Sequence, residues 1–195
     1  MPDAGRVIAG SAKAIRLDAP GPGTRPLADR VKQTLFAILQ PDLPGSRFLD
    51  LFAGSGAAGI EALSRGAVHA TFVDHDAKAV TAIRANLERT RFADADHATV
   101  VRAEVLAWLA ALDDASRFDL ALVDPPYDQP DQLTGALERL GRHVGPGGRV
   151  VAKHFWRSAP PASIGLLASE RERRFGETSL TFYRRRDDAT GTEGA

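Results

Sequence analysis

Five short apolar runs, each followed or preceded by a stretch of helical spacing, constrain this chain more than any other feature. They are Phe48-Leu49, Thr71-Phe72-Val73, Thr99-Val100-Val101, Leu120-Ala121-Leu122-Val123 and Arg149-Val150-Val151-Ala152, with helical stretches near 57–65, 77–91, 104–112 and 130–143. A strand that recurs after each helix returns in the same direction, so the pattern predicts an α/β domain with a doubly wound, mostly parallel sheet. After Pro160-Pro161 the rhythm changes to two strand-like runs, about 165–174 and 178–185, joined at Phe175-Gly176-Glu177. These predict a C-terminal antiparallel hairpin at the end of the sheet.

Ahead of the repeating units, residues 6–18 read as a small hairpin, with Val7-Ile8-Ala9 and Ala14-Ile15-Arg16-Leu17 around a Gly10-Ser11 turn. A Pro/Gly-rich loop follows, and Leu27, Val31, Leu35, Ile38 and Leu39 then lie at helical spacing. The expected division is a mobile N-terminal extension over 1–24, a main domain over 25–186 and a disordered polar tail over 187–195.

A length of 195 residues suits one core. No apolar run reaches the roughly 20 residues of a membrane span, and the N-terminus lacks the apolar stretch of a secretion signal. Zero cysteines exclude disulfides and thiolate zinc sites. His69, His75, His97 and His143 are scattered without ligand spacing, so no metal is expected. A cytoplasmic monomer is the expectation. The 25 basic and 25 acidic residues balance in number but not in position. Arg6, Lys13, Arg16, Arg25, Arg30 and Lys32 crowd the first forty residues, and Arg171, Arg173, Arg174, Arg184, Arg185 and Arg186 the C-terminal end. A neutral total can therefore hide a basic face able to meet phosphates.

The first strand runs into a glycine-rich turn and a helix: Asp50-Leu51-Phe52-Ala53-Gly54-Ser55-Gly56-Ala57-Ala58-Gly59. Gly54, Gly56 and Gly59 satisfy the dinucleotide fingerprint, which by itself admits an NAD-dependent oxidoreductase. Asp74, ending the next strand, suits ribose hydroxyls in either kind of site. Asp50 separates the two. A carboxylate at the strand mouth attracts the cationic amino-acid end of S-adenosylmethionine and repels a pyrophosphate, unless it merely caps the turn. Glu104, with Val105 after it, stands where an acid could accept from an adenine amine, or could simply begin a solvated helix. Asp76 reads as a helix cap.

Asp124-Pro125-Pro126-Tyr127 ends the fourth strand. Two prolines fix the backbone, so the Asp124 carboxylate and Pro125 carbonyl stand as paired acceptors for the two hydrogens of an exocyclic amine. Holding those hydrogens aims the nitrogen lone pair at a methyl donor. Tyr127 offers a flat face to a base. A plain turn after a buried strand is the alternative. His154 and Trp156 could also stack on a base, or serve the core and rim.

On these residues the chain resembles the RsmD family of bacterial ribosomal RNA guanine-N2 methyltransferases, across nearly all of residues 6–186. The likeness is carried by Arg6-Val7-Ile8-Ala9-Gly10, by Thr24-Arg25-Pro26-Leu27-Ala28-Asp29-Arg30-Val31-Lys32-Gln33, by Leu49 to Gly56, by Gly59 to Gly66 and by the tetrapeptide. The resemblance implies a Rossmann-like class I fold, S-adenosylmethionine held by Asp50, Ala53, Gly54, Ser55, Gly56, Asp74, Glu104 and Val105, and catalysis at Asp124, Pro125, Pro126 and Tyr127. It implies 16S ribosomal RNA as partner, within a small-subunit assembly intermediate, positioned by Arg6, Lys13, Arg16, Arg25, Arg30 and Lys32. Leu27, Gln33, Ala14-Ile15 and Lys153-His154 depart from the family pattern, Ala14 standing where glycine is common. A DNA adenine methyltransferase, a protein glutamine methyltransferase and a non-enzymatic RNA-binding module are the rival readings. The length leaves little room for a DNA-recognition domain, and glutamine chemistry usually goes with Asn at position 124. A binding module needs neither cofactor loop nor tetrapeptide.

Overall fold

The computed structural model describes residues 3–21 and 28–186. Strands β1 (Asp3–Arg6) and β2 (Arg16–Asp18) pair with each other, and helix α1 (Asp29–Leu39) leads into the main sheet. Alternation then runs as expected: β3 (Arg47–Leu51), α2 (Ala57–Ser64), β4 (His69–Asp74), α3 (Ala77–Thr90), β5 (Ala98–Arg102), α4 (Val105–Ala111), β6 (Phe118–Val123), α5 (Pro130–Leu140) and β7 (Val144–Phe155). The chain closes with β8 (Ser163–Ile164), β9 (Leu167–Phe175) and β10 (Thr178–Arg185). The eight-stranded sheet has the order β5-β4-β3-β6-β7-β10-β9-β8. Strands β3 to β7 are parallel to their neighbours among themselves, and β10, β9 and β8 add antiparallel. The C-terminal hairpin thus lengthens the sheet, with β10 rather than β9 against β7.

Side chains of period two divide between the sheet's faces. Phe48, Leu120, Leu122, Val151, Leu180 and Phe182 pack on one face against α1, α2 and α3. Leu49, Leu51, Ala121, Val123, Val150 and Ala152 pack on the other against α4 and α5. Both faces are covered, which is why the central strands read as continuous apolar runs. Among the described residues no helix is long and apolar enough to cross a membrane.

The N-terminal hairpin differs from expectation in two respects. Its ladder joins Asp3 to Asp18 and Arg6 to Arg16, so residues 7–15 form the connection rather than the arms. The Ile8 and Ala9 amides are turned away from the hairpin and donate to the Glu61 carboxylate on α2, at 2.7 and 3.0 Å. The segment is also packed onto the main domain. Ala4, Val7, Ala12, Leu17 and Ala19 join the same core as α1 and α2. Ser11 and Ala12 donate to the Ser64 carbonyl and hydroxyl. Gly10 lies so close to Ser64 that an added Cβ would sit 1.7 Å from its carbonyl oxygen. Only glycine fits there.

Candidate active site

The strand order reverses at β3, which has β4 on one side and β6 on the other. Crossover helices leave such a point to opposite faces, so a crevice opens beyond the carboxyl ends of the strands. A cleft of about 820 Å³ occupies this place. The ends of β3, β4 and β6 bring Asp50, Asp74 and Asp124 to its wall, and Lys153 joins them from β7. Ala53, Gly54 and Ser55 form its floor, while Pro125, Pro126 and Tyr127 line the opposite side.

The glycine-rich turn is held by the very carboxylates that face the cleft. Asp50 accepts from the Gly59 amide and Asp74 from the Gly54 amide, both at 2.8 Å. Asp74 also accepts from the Asp76 amide at 2.9 Å, and Asp76 in turn caps α3 through the Lys78 amide, as its sequence position predicted. Phe52, Gly54 and Gly56 all adopt positive φ (59°, 55° and 75°). Phe52 is a bulky residue in a region that favours glycine, so strain is concentrated at this turn. Gly59 serves packing instead: a Cβ there would lie 2.2 Å from the Phe72 ring.

Burial pushes the Asp50 carboxyl up to about 8, the nearby Asp124 and Asp74 charges adding to the effect and the Gly59 hydrogen bond opposing it. Burial likewise raises Asp124, against the pull of the Lys153 ammonium. Three acids facing one another in a cleft with a single lysine make a site that favours a cationic ligand. It suits an ammonium and a sulfonium, and it would repel the pyrophosphate of a dinucleotide.

At the tetrapeptide, Lys153 donates to Asp124 Oδ1 at 2.5 Å, and its ammonium stands 5.0 Å from the centre of the Tyr127 ring. The Tyr127 hydroxyl bonds Thr178 Oγ1 at 2.6 Å, which fixes the ring against the start of β10. The Pro126 carbonyl accepts from the Gln129 amide, whereas the Pro125 carbonyl meets no such donor among the described residues. Asp124 Oδ2 and the Pro125 carbonyl are therefore the acceptors left for an amine.

Other expected residues fall elsewhere. Glu104 is exposed at the N-cap of α4 and is not part of the cleft wall, and the Val105 side chain is buried in the core beneath α4. Arg25 lies outside the described residues. Lys32 is a correction: it is fully buried, donates to the Arg6 carbonyl and lies 3.8 Å from Glu61, so it cannot reach a phosphate. The hairpin covers the helix face on which Lys32 stands. Burial lowers its pKa, with Glu61 and then Asp29 opposing. Arg6 pairs with Asp29 at 3.7 Å and Arg16 with Asp3 at 2.8 Å, while Lys13 and Arg30 are exposed.

Sequence reading assigned no role to Asn86 on α3, which is buried and donates to the Ser55 carbonyl and the Asp18 carbonyl, both at 2.9 Å. It also accepts from the Asp18 amide at 2.8 Å, so the hairpin and the glycine-rich turn share one amide. No motif marks it. His154 is buried and bonds Thr181 Oγ1 at 2.8 Å, which gives it the core role, and Trp156 stands at the rim. Among the described residues no cluster of acids and histidines could hold a metal ion.

Comparison with known proteins places the chain in one family. The family described as conserved hypothetical protein 95 matches residues 5–184. The chain is 38% identical over 185 residues to YlbH of Bacillus subtilis (strain 168), by name a candidate rRNA methyltransferase, covering 93% of this chain and 99% of that protein. It is 38% identical over 123 residues to ribosomal RNA small subunit methyltransferase D of Escherichia coli K12, a match spanning 63% of this chain and 60% of that one. The solved structure of yhhF from Escherichia coli, described as a candidate methyltransferase, superposes with a TM-score of 0.80 at 30% identity, over 94% of this chain and 98% of that one.

Proposed function

This chain belongs to the RsmD family, described as conserved hypothetical protein 95, and on that premise we propose that it transfers a methyl group from S-adenosylmethionine to the exocyclic N2 amine of a guanine in 16S ribosomal RNA. The observation that carries the chemistry is the pairing of an acid-lined cofactor cleft with Asp124-Pro125-Pro126-Tyr127 on one wall. S-adenosylmethionine supplies an electrophilic methyl group on a cationic sulfur. Asp50 would hold the ammonium of its amino-acid end and Asp74 its ribose hydroxyls.

Asp124 Oδ2 and the Pro125 carbonyl each accept one hydrogen of the substrate amine, which turns the nitrogen lone pair toward the methyl carbon. Tyr127 holds the base plane. As the new C–N bond forms, positive charge grows on nitrogen, and the Asp124 carboxylate stabilises it. The surplus proton then passes to Asp124 or to water, so no strong base is required.

Adenine N6 and cytosine N4 present the same two hydrogens, so the tetrapeptide alone supports amine methylation, the relatives named for small-subunit ribosomal RNA support the RNA, and guanine N2 is what the resemblance to the RsmD family implies. Reaching Tyr127 requires the base to leave its stack, which an RNA loop permits more readily than a duplex. Labelled S-adenosylmethionine offered with small ribosomal subunits from cells lacking the enzyme, with 16S RNA and with DNA tests the reading. N2-methylguanosine from the ribosomal substrate supports it; label in DNA adenine or in ribosomal protein overturns the target. Methyl transfer that survives Asp124→Ala unchanged overturns the catalytic assignment.

A further inference from the structure

Three aromatic rings step from the cleft wall to its rim. Tyr127 and Phe155 stand 6.4 Å apart between centroids, and Phe155 and Trp156 6.2 Å. The Trp156 amide donates to the Glu177 carbonyl at 3.0 Å, and Glu177 itself lines the cleft. Two guanidinium groups stand over the indole, that of Arg174 at 3.6 Å from the ring centre and that of Arg157 at 4.6 Å. Arg174 is further fixed by its Nε, which donates to the Gly176 carbonyl at 2.9 Å.

Several other arginines are neutralised by a carboxylate: Arg6 by Asp29, Arg16 by Asp3, Arg89 by Asp18, Arg184 by Glu170. Among the described residues Arg157 and Arg174 make no such ion pair, although both are exposed. Their charge is unspent, and a guanidinium held in place by an indole loses less conformational freedom on binding than a free side chain. With the indole covered by guanidinium, the ring supports cations more than it offers a face to a base. A planar fork of donors matches the oxygens of a phosphate.

We infer that Trp156, Arg157 and Arg174 form a preset clamp for the phosphate backbone of the RNA strand that delivers the target base to Tyr127. The inference rests on the RNA reading above and adds to it the surface that grips the strand. This surface is the C-terminal hairpin side of the cleft, in addition to the N-terminal cations that the resemblance implied.

The test compares the parent chain with the double variant Arg157→Gln, Arg174→Gln, using a 16S RNA transcript and small subunits that lack the modification. The variant is expected to need about tenfold more RNA for half-maximal methyl transfer, and its log affinity against log salt should flatten by about 1.4, as for two lost single-strand phosphate contacts. Its affinity for S-adenosylmethionine and its melting temperature should match the parent. In a Trp108→Phe background, Trp156 is the remaining tryptophan, and its fluorescence should change on adding the transcript. An unchanged salt slope, or fluorescence indifferent to RNA, overturns the clamp while leaving methyl transfer by the parent intact. Absence of methyl transfer to RNA by the parent overturns the functional reading, and the salt slopes of binding still decide the clamp. A parent that binds no RNA overturns both.

Discussion

The ammonium of Lys153 lies 2.5 Å from Asp124 Oδ1, the residue that the amine chemistry needs ionised. Burial pushes the pKa of that carboxyl up, and Lys153 is the charge that opposes the rise. Removing the ammonium therefore raises the Asp124 pKa further. Lys153→Met is expected to shift the acidic limb of the pH–rate profile to higher pH, because ionised Asp124 then persists only in more alkaline solution. Lys153→Arg should restore much of the original profile. A uniform fall in rate at every pH would assign Lys153 to packing.

Asp50 gives the cofactor step a pH dependence of its own. Its carboxyl is pushed up to about 8 in the free protein, and an ammonium placed beside it favours the ionised form. Binding S-adenosylmethionine at neutral pH should release a proton, and affinity should rise as pH climbs toward 8. Calorimetry in two buffers of different ionisation enthalpy measures that proton directly.

The same acid costs the free fold stability in alkaline solution. The folded state keeps the Asp50 proton up to about 8, the unfolded chain only to 3.8. The contribution is complete below 3.8 and is lost as pH rises through 8. Asp50→Asn should accordingly melt at least about 5 °C above the parent at pH 9, without cofactor, and show little advantage at pH 4. It should bind S-adenosylmethionine poorly at both.

Gly59→Ala places a methyl group 2.2 Å from the Phe72 ring. The ring lies in the core between sheet and α2 and cannot retreat freely. A loss of about 1–3 kcal/mol in unfolding free energy is expected from overpacking, measured by denaturant titration.

Ala14 carries φ of 71°, a left-handed conformation that costs an alanine about 1–2 kcal/mol. Ala14→Gly should stabilise the chain by about 0.5–1 kcal/mol, the strain relieved exceeding the entropy that glycine adds to the unfolded chain. A thermal melt with no increase would mean that the turn relaxes elsewhere.

What the sequence disclosed follows from local periodicity. Apolar alternation and helical spacing are written into adjacent residues, so the order of strands and helices and the place of the glycine-rich turn were legible. So were Asp50, Asp74 and Asp124, each at a strand end. Lys153 was visible as a departure yet without a role, because its meeting with Asp124 depends on β7 lying beside β6 in a register that pairs Val123 with Ala152. Lys32 was misjudged for a related reason. A lysine on a helix reads as solvated until another segment covers that face, and the segment that covers it lies 26 residues away in the sequence. Asn86 and Asp18, which meet across 68 positions, belong to the same class.

The Asn86 link also orders events in time. Residues 3–19 are synthesised before Glu61 and Asn86, so this segment lacks those two partners until α2 and α3 have followed it. Because one Asn86 amide holds both the Ser55 carbonyl and Asp18, docking of that segment and the setting of the glycine-rich turn are coupled through a single side chain.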